Sequence, residues 1–488
     1  MTLEEILALP DIGQKIALLK KGRRTELPNK VDLWNDWIPQ RHEILTNKEK
    51  YPDRKVLEKE AETKFDESTG KTYEVEAKYK TEEVNRIAIP LEQDIVNIQT
   101  AFTVGIEPKI DCTPSDESEE KLLNAVRKVL KVNKIKFRNK KIVRSWLSEQ
   151  EAAEYWYAAA DDSFWAKLWA SVKTTFGGKV KPNKKLKSVI WSPFRGDTLY
   201  PFFNDEGDLV AFSREYKKKV DDSEVTLFMT ITDSWVYMWN ESSLTEGNSF
   251  KHGFEKIPVI YTYRPEAYCA KIKTFRVRLE KLLSNYADCI DYHFFPLLKL
   301  IGDVAGFAGK TKDRIVKLEN GADAQYLTWS QVPDTVKFEA ENLTNMAYSM
   351  TNTPRISFEE MKGIGNVSGV ALKLMFMGAH MAVSNHAEDI EDFLQRRINF
   401  LVSALGTINP SEFSGASKTI DIETEVVPYM IDDINSNVTT AVAAVSGGVW
   451  SRREGVMFAG NADRIESELK EIEEERKMKE PEKAKGAD

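Results

Sequence analysis

The sequence has 488 residues, of which 42% are hydrophobic, and a net charge of −8. This length and apolar content suffice for roughly two to four domains with buried cores. The negative charge excludes a protein that holds nucleic acid by bulk electrostatic attraction, because such proteins are basic, but it is compatible with DNA that slides past. Three cysteines without CxxC spacing are too few for a disulfide framework, which favours a reducing compartment.

The first 264 residues predict a mixture of helices and strands. Thr2 and Glu5 form the capping box of a first helix, a pattern unlike that of a signal peptide. Residues 72–79 alternate between apolar and polar side chains and predict a half-exposed strand. Residues 84–104 carry apolar side chains at spacings of three and four, which predicts an amphipathic helix. Residues 186–263 predict a series of β-strands.

Ten lysine and arginine residues lie between Lys121 and Arg144, around an apolar stripe. This pattern predicts a helical segment with one buried face. The charge run is either a solvated helix face or a surface that contacts phosphates, and the sequence leaves both interpretations open.

The second half of the chain is predominantly helical. Residues 268–295 and 335–352 predict two helices, which a compact segment at 296–332 separates. A loop with two glycines and a long helix at 368–405 follow. The longest apolar run, at 369–383, is too short to span a bilayer, so no membrane partner is expected.

Three further elements complete the predicted secondary structure: a strand at 418–427, a helix at 428–445 and a highly charged helix at 464–480. Between the last two, Ser451 and Glu454 predict the capping box of a short helix.

No motif in the sequence predicts a catalytic, cofactor or metal site. Ala308 to Thr311 resembles the end of a phosphate-binding loop, but Val304 occupies the position of the first glycine. Gly363 to Ser368 is one residue short of the GxGxxG fingerprint and lacks a βαβ context. The five histidines have no metal-binding spacing. We therefore expect no enzymatic activity and no cofactor.

The first half of the predicted helix at 368–405 is apolar on nearly all sides. A helix of this kind is buried on several sides. It is either enclosed within one domain or packed against the same helix of neighbouring copies in a ring. The residues expected in that contact between copies are Val370, Leu374, Met375, Met377 and Met381.

A series of short segments occurs in a characteristic order along the chain. Residues 250–260 read FKHGFEKIPVI, 368–373 read SGVALK and 446–451 read SGGVWS. Together with the helix at 84–104 and the strands at 191–216, they resemble the portal proteins of tailed bacteriophages, in the branch of the long-tailed phages. The resemblance covers roughly residues 80–475.

The resemblance implies an α+β portal fold that assembles as a ring. Its parts are an α/β wing, a helical stem, a small α/β clip, a long channel-lining helix and a helical crown. The implied boundaries are a wing at 1–264, stem helix 1 at 265–295, a clip at 296–332, stem helix 2 at 333–353, a tunnel loop at 354–367, the channel helix at 368–405, a wing return strand at 406–427, a crown at 428–480 and a disordered tail at 481–488.

The resemblance also implies a function. Portal subunits form the channel through which DNA is packaged into the capsid and later ejected, and they are not enzymes. The implied partners are identical copies in a dodecameric ring, double-stranded DNA in transit, the large terminase, the major capsid and scaffolding proteins, and a head–tail adaptor. The implied location is the capsid vertex of the virion, after assembly in the host cytoplasm.

Two sets of residues are expected to meet DNA or terminase. The tunnel loop would face the channel with Met361, Lys362, Gly363, Ile364, Gly365, Asn366 and Val367. The clip would present the basic residues Lys310, Lys312, Arg314 and Lys317.

Two other functions are alternatives. A nucleotide-dependent packaging or repair ATPase would use the loop from Gly302 to Thr311. A monomeric adaptor would bind another protein through the helix at 368–405.

Overall fold

The chain forms two compact units, one of residues 1–353 and 382–427 and the other of residues 354–381 and 428–488. The computed structural model describes residues 2–66, 70–160, 184–220, 223–293, 297–301, 304–308, 315–318, 323–327, 332–356, 374–429, 434–461 and 468–475. Helices and strands are mixed along the chain, which confirms the α+β class.

Four short helices begin the first unit: α1 (Leu3–Ala8), α2 (Ile12–Lys21), α3 (Lys30–Trp37) and α4 (Glu43–Thr46). The predicted capping box of α1 is confirmed, because the Glu5 N–H donates to Thr2 Oγ1 and the Thr2 N–H donates to the Glu5 carboxylate. The helices α1 and α2 cover one face of a β-sheet through a buried cluster of Ile6, Ile16, Leu19, Tyr200, Phe228 and Trp239.

Residues 54–82 form a two-stranded antiparallel arm. Strand β1 (Arg54–Lys59) pairs with β4 (Lys78–Glu82), and β2 (Glu62–Asp66) pairs with β3 (Lys71–Val75). The predicted strand at 72–79 is therefore two strands that break at residues 76–77. A register shift between Leu57 and Lys59 of β1, opposite Tyr79 and Lys78 at the start of β4, is a β-bulge.

The core of the first unit lies between two antiparallel sheets. Their strands are β6 (Glu151–Ala160), β7 (Lys184–Trp191), β8 (Thr198–Phe203), β9 (Leu209–Val220), β10 (Ser223–Ile231), β11 (Trp235–Asn240), β12 (Thr245–Glu246), β13 (Phe250–Lys251) and β14 (Val259–Tyr263). One sheet has the order β12-β11-β10-β9-β8, with β13 beside β11, and the other has the order β14-β6-β7. The strands predicted at 186–263 are confirmed. Side chains from both sheets, among them Trp191, Phe212 and Tyr261, share one buried cluster.

Three helices pack beside these sheets: α5 (Leu91–Val104), α6 (Glu117–Val132) and α7 (Ile135–Glu149). The prediction that α5 starts at residue 84 is wrong. Residues 84–90 are irregular because their backbone N–H groups bond elsewhere: the N–H of Ile87 donates to Ser284 Oγ and that of Ile89 to Glu280 Oε1, both at 2.9 Å.

Two long helices form the next part of the first unit. Helix α8 (Lys273–His293) follows a 3-10 turn at Ala270–Ile272, and α9 (Val332–Met350) contacts it. Both correspond to predicted helices, with starts and ends that differ by two to five residues. Helix α9 ends before Asn352, whose φ of 47° is left-handed.

The long helix α10 (Met377–Ile408) continues to residue 408 rather than 405, and residues 374–375 before it are also helical. The part of the prediction at 368–373 lies outside the described residues. Two short helices follow, α11 (Pro410–Phe413) and α12 (Ala416–Thr419). The strand expected at 418–427 is only β19 (Glu423–Glu425), which pairs with β5 (Lys109–Asp111), because residues up to 419 are helical.

The second unit contains the helices α13 (Ile434–Ser446) and α14 (Arg452–Val456), followed by a π-helical turn at Met457–Asn461. Ser451 caps α14 as predicted, since its Oγ accepts a hydrogen bond from the Glu454 N–H. Residues 468–475 are helical, within the predicted terminal helix.

Candidate functional site

The segment between α8 and α9 is built from two nested antiparallel strand pairs. Strand β15 (Leu297–Ile301) pairs with β18 (Asp323–Leu327), and β16 (Val304–Ala308) pairs with β17 (Ile315–Leu318). Lys317 lies in β17, while Lys310, Lys312 and Arg314 lie outside the described residues. The chain thus leaves one helix, forms this double strand pair and returns into the next helix.

This topology does not suit the ATPase alternative. A phosphate-binding loop connects a strand to a helix whose N-terminus faces the phosphates. Here Gly306 lies within strand β16, opposite Lys317 of β17. The strand after the Gly302–Thr311 segment therefore occupies the place where that motif requires a helix.

The start of α10 exposes large apolar side chains. Met377 is 54% exposed and Met381 60%, and Leu374 and Met375, just before the helix, are 62% and 53% exposed. Val370 and the loop at 361–367 lie outside the described residues. Further along α10, in contrast, Ile390, Phe393 and Leu401 are at most 1% exposed. A single copy therefore buries one side of this helix along most of its length, Phe376 and Ala379 included, and leaves an exposed group of apolar side chains at its start.

A buried ion pair fixes the second half of α10 to the sheets. Arg397 Nε lies 2.7 Å from Glu154 Oε2 of β6, and Arg397 NH1 donates to Asn139 Oδ1 of α7 at 2.8 Å. Ser188 Oγ of β7 donates to the other Glu154 oxygen at 2.8 Å. Arg397 and Glu154 are 1% and 0% exposed. One guanidinium thus connects α10 to a helix and a strand.

A second buried cluster fixes α8 at its first turn. Arg276 bonds to Glu92 of α5, to Asp36 at 2.8 Å and to Glu280 at 3.3 Å. His42 Nδ1 lies 2.5 Å from Glu280 Oε1. Burial raises the pKa of the Glu92 carboxyl to about 7, against the opposing field of Arg276. The cluster ties α8 to α3, to the N-cap of α4 and to α5.

The C-terminal half of α5 contacts both chain segments that flank residues 354–381. Gln99 Nε2 donates to Thr353 Oγ1 at 2.8 Å and to the carbonyl of Thr351 at 3.1 Å, beyond the end of α9. Thr103 Oγ1 lies 3.3 Å from Nδ1 of His386 in α10. Burial lowers the pKa of His386 to about 3, with Arg264 as a smaller cause, so this imidazole is neutral. Gln99 and Thr103 are both fully buried.

The basic stretch at 121–144 covers the exposed faces of α6 and α7. Lys121 pairs with Glu117 at 2.8 Å, and Arg144 Nε donates to Asn97 Oδ1 at 3.0 Å. Of the predicted apolar stripe, Leu122, Val126 and Leu130 are buried, and Val129 is half-buried. These contacts are compatible with a solvated face, and the alternative of phosphate contact stays a prediction.

The described part of the chain holds no group of three or more His, Cys, Asp or Glu residues that could bind a metal ion. Its histidines instead make structural contacts: His252 Nε2 lies 3.0 Å from the Thr232 carbonyl oxygen, and His386 packs edge-on against Trp146. No helix among the described residues is long and apolar enough to cross a membrane.

Sequence reasoning missed Arg276, Arg397 and Gln99 as structural anchors. A signal for the two arginines is present, because each occupies an apolar stripe: Arg276 lies between Ile272 and Leu279, and Arg397 between Leu394 and Leu401. A charged residue at such a position is expected to be paired when buried. The partners are 184 and 243 residues away and could not be named.

Comparison with known proteins gives a family assignment. Two solved structures match the chain at low identity and low TM-score: the virion of a native gene transfer agent particle (10% identity, TM-score 0.36) and the neck of an empty gene transfer agent particle computed with C6 symmetry (12% identity, TM-score 0.37). Each match covers 76% of this chain and 90% of the other. No curated protein matches the sequence. The family described as "Phage portal protein, SPP1 Gp6-like" matches residues 29–482, and the chain therefore belongs to this family of phage portal proteins, the connectors between phage head and tail.

Proposed function

We propose that identical copies of this chain form a dodecameric ring at one vertex of the capsid, and that double-stranded DNA passes through its centre during packaging and ejection. The ring assembles in the host cytoplasm and remains in the virion. The portal itself acts passively, without catalysis, and the large terminase supplies the energy of packaging.

The apolar surface around the start of α10 supports this proposal more than any other observation. Leu374, Met375, Met377 and Met381 are each more than half exposed in a single copy. Full burial of such a side chain is worth about 1.5–3 kcal/mol, so covering the exposed half of all four contributes roughly 4 kcal/mol to each contact between copies. Scattered apolar side chains are ordinary on a surface, but a group of this kind marks an interaction site.

Other parts of the chain have the remaining roles in the proposed ring. Helices α8 and α9 form the stem, and the strand pairs β15/β18 and β16/β17 belong to the clip at 296–332, where the terminase docks before a head–tail adaptor replaces it. The tunnel loop at 361–367 projects into the channel. The outer wing at 1–264 and the crown at 428–480 face the capsid and scaffolding proteins.

The charge of the chain suits a channel that lets DNA slide. Each phosphate that a lysine or arginine neutralises adds affinity and salt dependence, so an acidic ring with few basic contacts holds DNA only transiently. Lys362 in the tunnel loop and the basic residues of the clip at 310–317 supply these transient contacts.

Electron microscopy of the purified protein in end-on view, together with native mass spectrometry, tests the proposal. We expect annular particles with a central channel and a mass near twelve chains. Met377→Glu and Met381→Glu should reduce the ring fraction at least tenfold, whereas Val31→Glu, at a position 64% exposed in the N-terminal helices, should not. A single stable copy at every concentration would refute the ring and favour a monomeric adaptor. ATP hydrolysis that Lys310→Ala abolishes would favour the ATPase.

A further inference from the structure

The arm at residues 54–82 is unusually exposed. None of its described side chains is buried, and its strands pair with each other. A two-stranded ribbon with no other packing is only marginally stable in water. An arm of this length therefore needs a covering surface.

One face of the arm is apolar. Leu57 and Tyr79 are direct cross-strand partners, so they lie side by side on the same face, and they are 45% and 60% exposed. Lys55 is two residues from Leu57 and belongs to this face too. The face thus combines an exposed apolar pair with one positive charge.

The base of the arm is held rigidly on the stem. Arg86 pairs with Asp53 at 2.7 Å and donates to the Tyr51 carbonyl at 2.9 Å. The Asn85 N–H donates to Asp288 of α8 at 2.7 Å. From this base, a strand pair of 13 residues per side reaches about 40 Å. These bonds fix the point at which the arm leaves α8.

Helix α9 presents a complementary surface. Phe338 is 66% exposed, and the exposed acids Asp334 and Glu341 lie one turn before and after it on the same side of the helix. Asp288 lies five residues before the end of α8 and Phe338 six residues after the start of α9, and strands β15 and β18 join these two helix ends. The arm base and Phe338 therefore lie toward the same end of the stem.

The arm and the α9 surface are different surfaces of one chain. A contact between them is heterologous, and repeated contacts of this kind close into a ring when the rotation permits. An arm face of about 40 by 10 Å buries roughly 800 Å² in total, about half of a standard interface of about 1,600 Å². The arm could thus supply a large share of each contact, and the start of α10 the rest.

We propose that the arm of one copy packs on helix α9 of the next copy, with Leu57 and Tyr79 against Phe338 and Lys55 beside Asp334 and Glu341. This inference rests on the proposed ring and names one contact that holds it together.

Cysteine cross-linking between two separately labelled copies tests this contact. Both copies carry Cys112→Ser and Cys289→Ser, which remove the two partly exposed thiols of the chain's described part. One copy also carries Tyr79→Cys and the other Phe338→Cys, so only contacts between copies produce a disulfide. Lys80→Cys, the neighbouring exposed position on the opposite face of the strand, replaces Tyr79→Cys in the control. We expect at least tenfold more cross-linked dimer from the Tyr79→Cys pair than from the control.

Charge reversal gives an independent readout. Lys55→Glu should lower the fraction of chains in rings severalfold, and Glu341→Lys in the same chain should restore it. Rings that form normally but give equal cross-linking in test and control, or that ignore Lys55→Glu, would overturn the arm contact alone. If the unaltered protein forms no rings, the proposed function fails as well.

Discussion

Replacement of Arg397 by methionine is the sharpest test of how α10 is held against β6 and α7. The side chain is 1% exposed and makes two hydrogen bonds, to Glu154 at 2.7 Å and to Asn139 at 2.8 Å. Methionine fills much of the same space but leaves the Glu154 carboxylate buried with Ser188 as its remaining partner among these groups. Removal of one partner from a buried pair costs about 3–5 kcal/mol, because the other charge stays uncompensated.

The double variant Arg397→Met with Glu154→Gln separates this charge effect from lost packing. Neutral glutamine needs no counter-charge, so we expect the double variant to recover at least 2 kcal/mol relative to Arg397→Met alone. The measurement is urea unfolding followed by circular dichroism and by tryptophan fluorescence, whose midpoints must coincide for a free energy to be defined. A loss below 1 kcal/mol for Arg397→Met would refute the view that this pair is an anchor.

Three further predictions concern the first unit. Glu92→Gln should flatten the pH dependence of the free energy of unfolding. Because the pKa of Glu92 is about 7 in the folded chain and 4.5 in the unfolded chain, its contribution to stability is fully present below pH 4.5 and falls by about 3 kcal/mol as the pH rises through 7. Urea midpoints of both proteins at pH 5 and pH 8 measure this difference. Gln99→Met removes the bonds to Thr353 and its neighbours and should cost about 1–3 kcal/mol, with faster amide exchange at Thr353. Gly22→Ala places a Cβ 2.0 Å from the Phe202 ring and should cost about 1–3 kcal/mol in the same unfolding assay.

The periodic parts of the fold could be predicted from local pattern. The strands at 186–263, the helices α8 and α9 and the capped helices at Thr2 and Ser451 follow from side-chain spacing and capping chemistry, which act within a few residues. These elements are specified by their own sequence. Tertiary packing then sets their ends to within a few residues.

The wrong start predicted for α5 and the missed partners of the buried arginines have a common physical cause. Residues 84–90 have a helical pattern, yet Ser284 and Glu280, nearly 200 residues away, take the N–H groups of Ile87 and Ile89. The helical N–H bonds that the pattern anticipates are therefore replaced by bonds to another element. Contacts at such separation leave no periodic trace in a single sequence, and the same holds for the partners of Arg276 and Arg397.

Only the local features of the candidate site could be predicted, because contacts between distant residues are not visible in a single sequence. The apolar character of residues 374–381 is local and is visible in the sequence, and the structure leaves these side chains exposed. Their use in a contact between copies stays a prediction. Of the arm at 54–82, the sequence predicts only a strand at 72–79, and it predicts short helices where β1 lies, because pairing between β1 and β4 is not visible in either segment alone.

The contacts within one copy differ in kind from the contacts proposed between copies. Within one copy, buried arginines join α8 to α3 and α5, and α10 to β6 and α7, where directional bonds to several acceptors define one arrangement. The exposed groups proposed to join copies are mainly apolar, and apolar contacts tolerate small shifts in geometry. In the proposed ring, the directional bonds keep each α8 and each α10 aligned with the rest of its own copy, while the apolar contacts between neighbours tolerate small shifts. Salt should therefore weaken the internal anchors little, since they are buried, and should affect ring formation mainly through Lys55 and its proposed acidic partners.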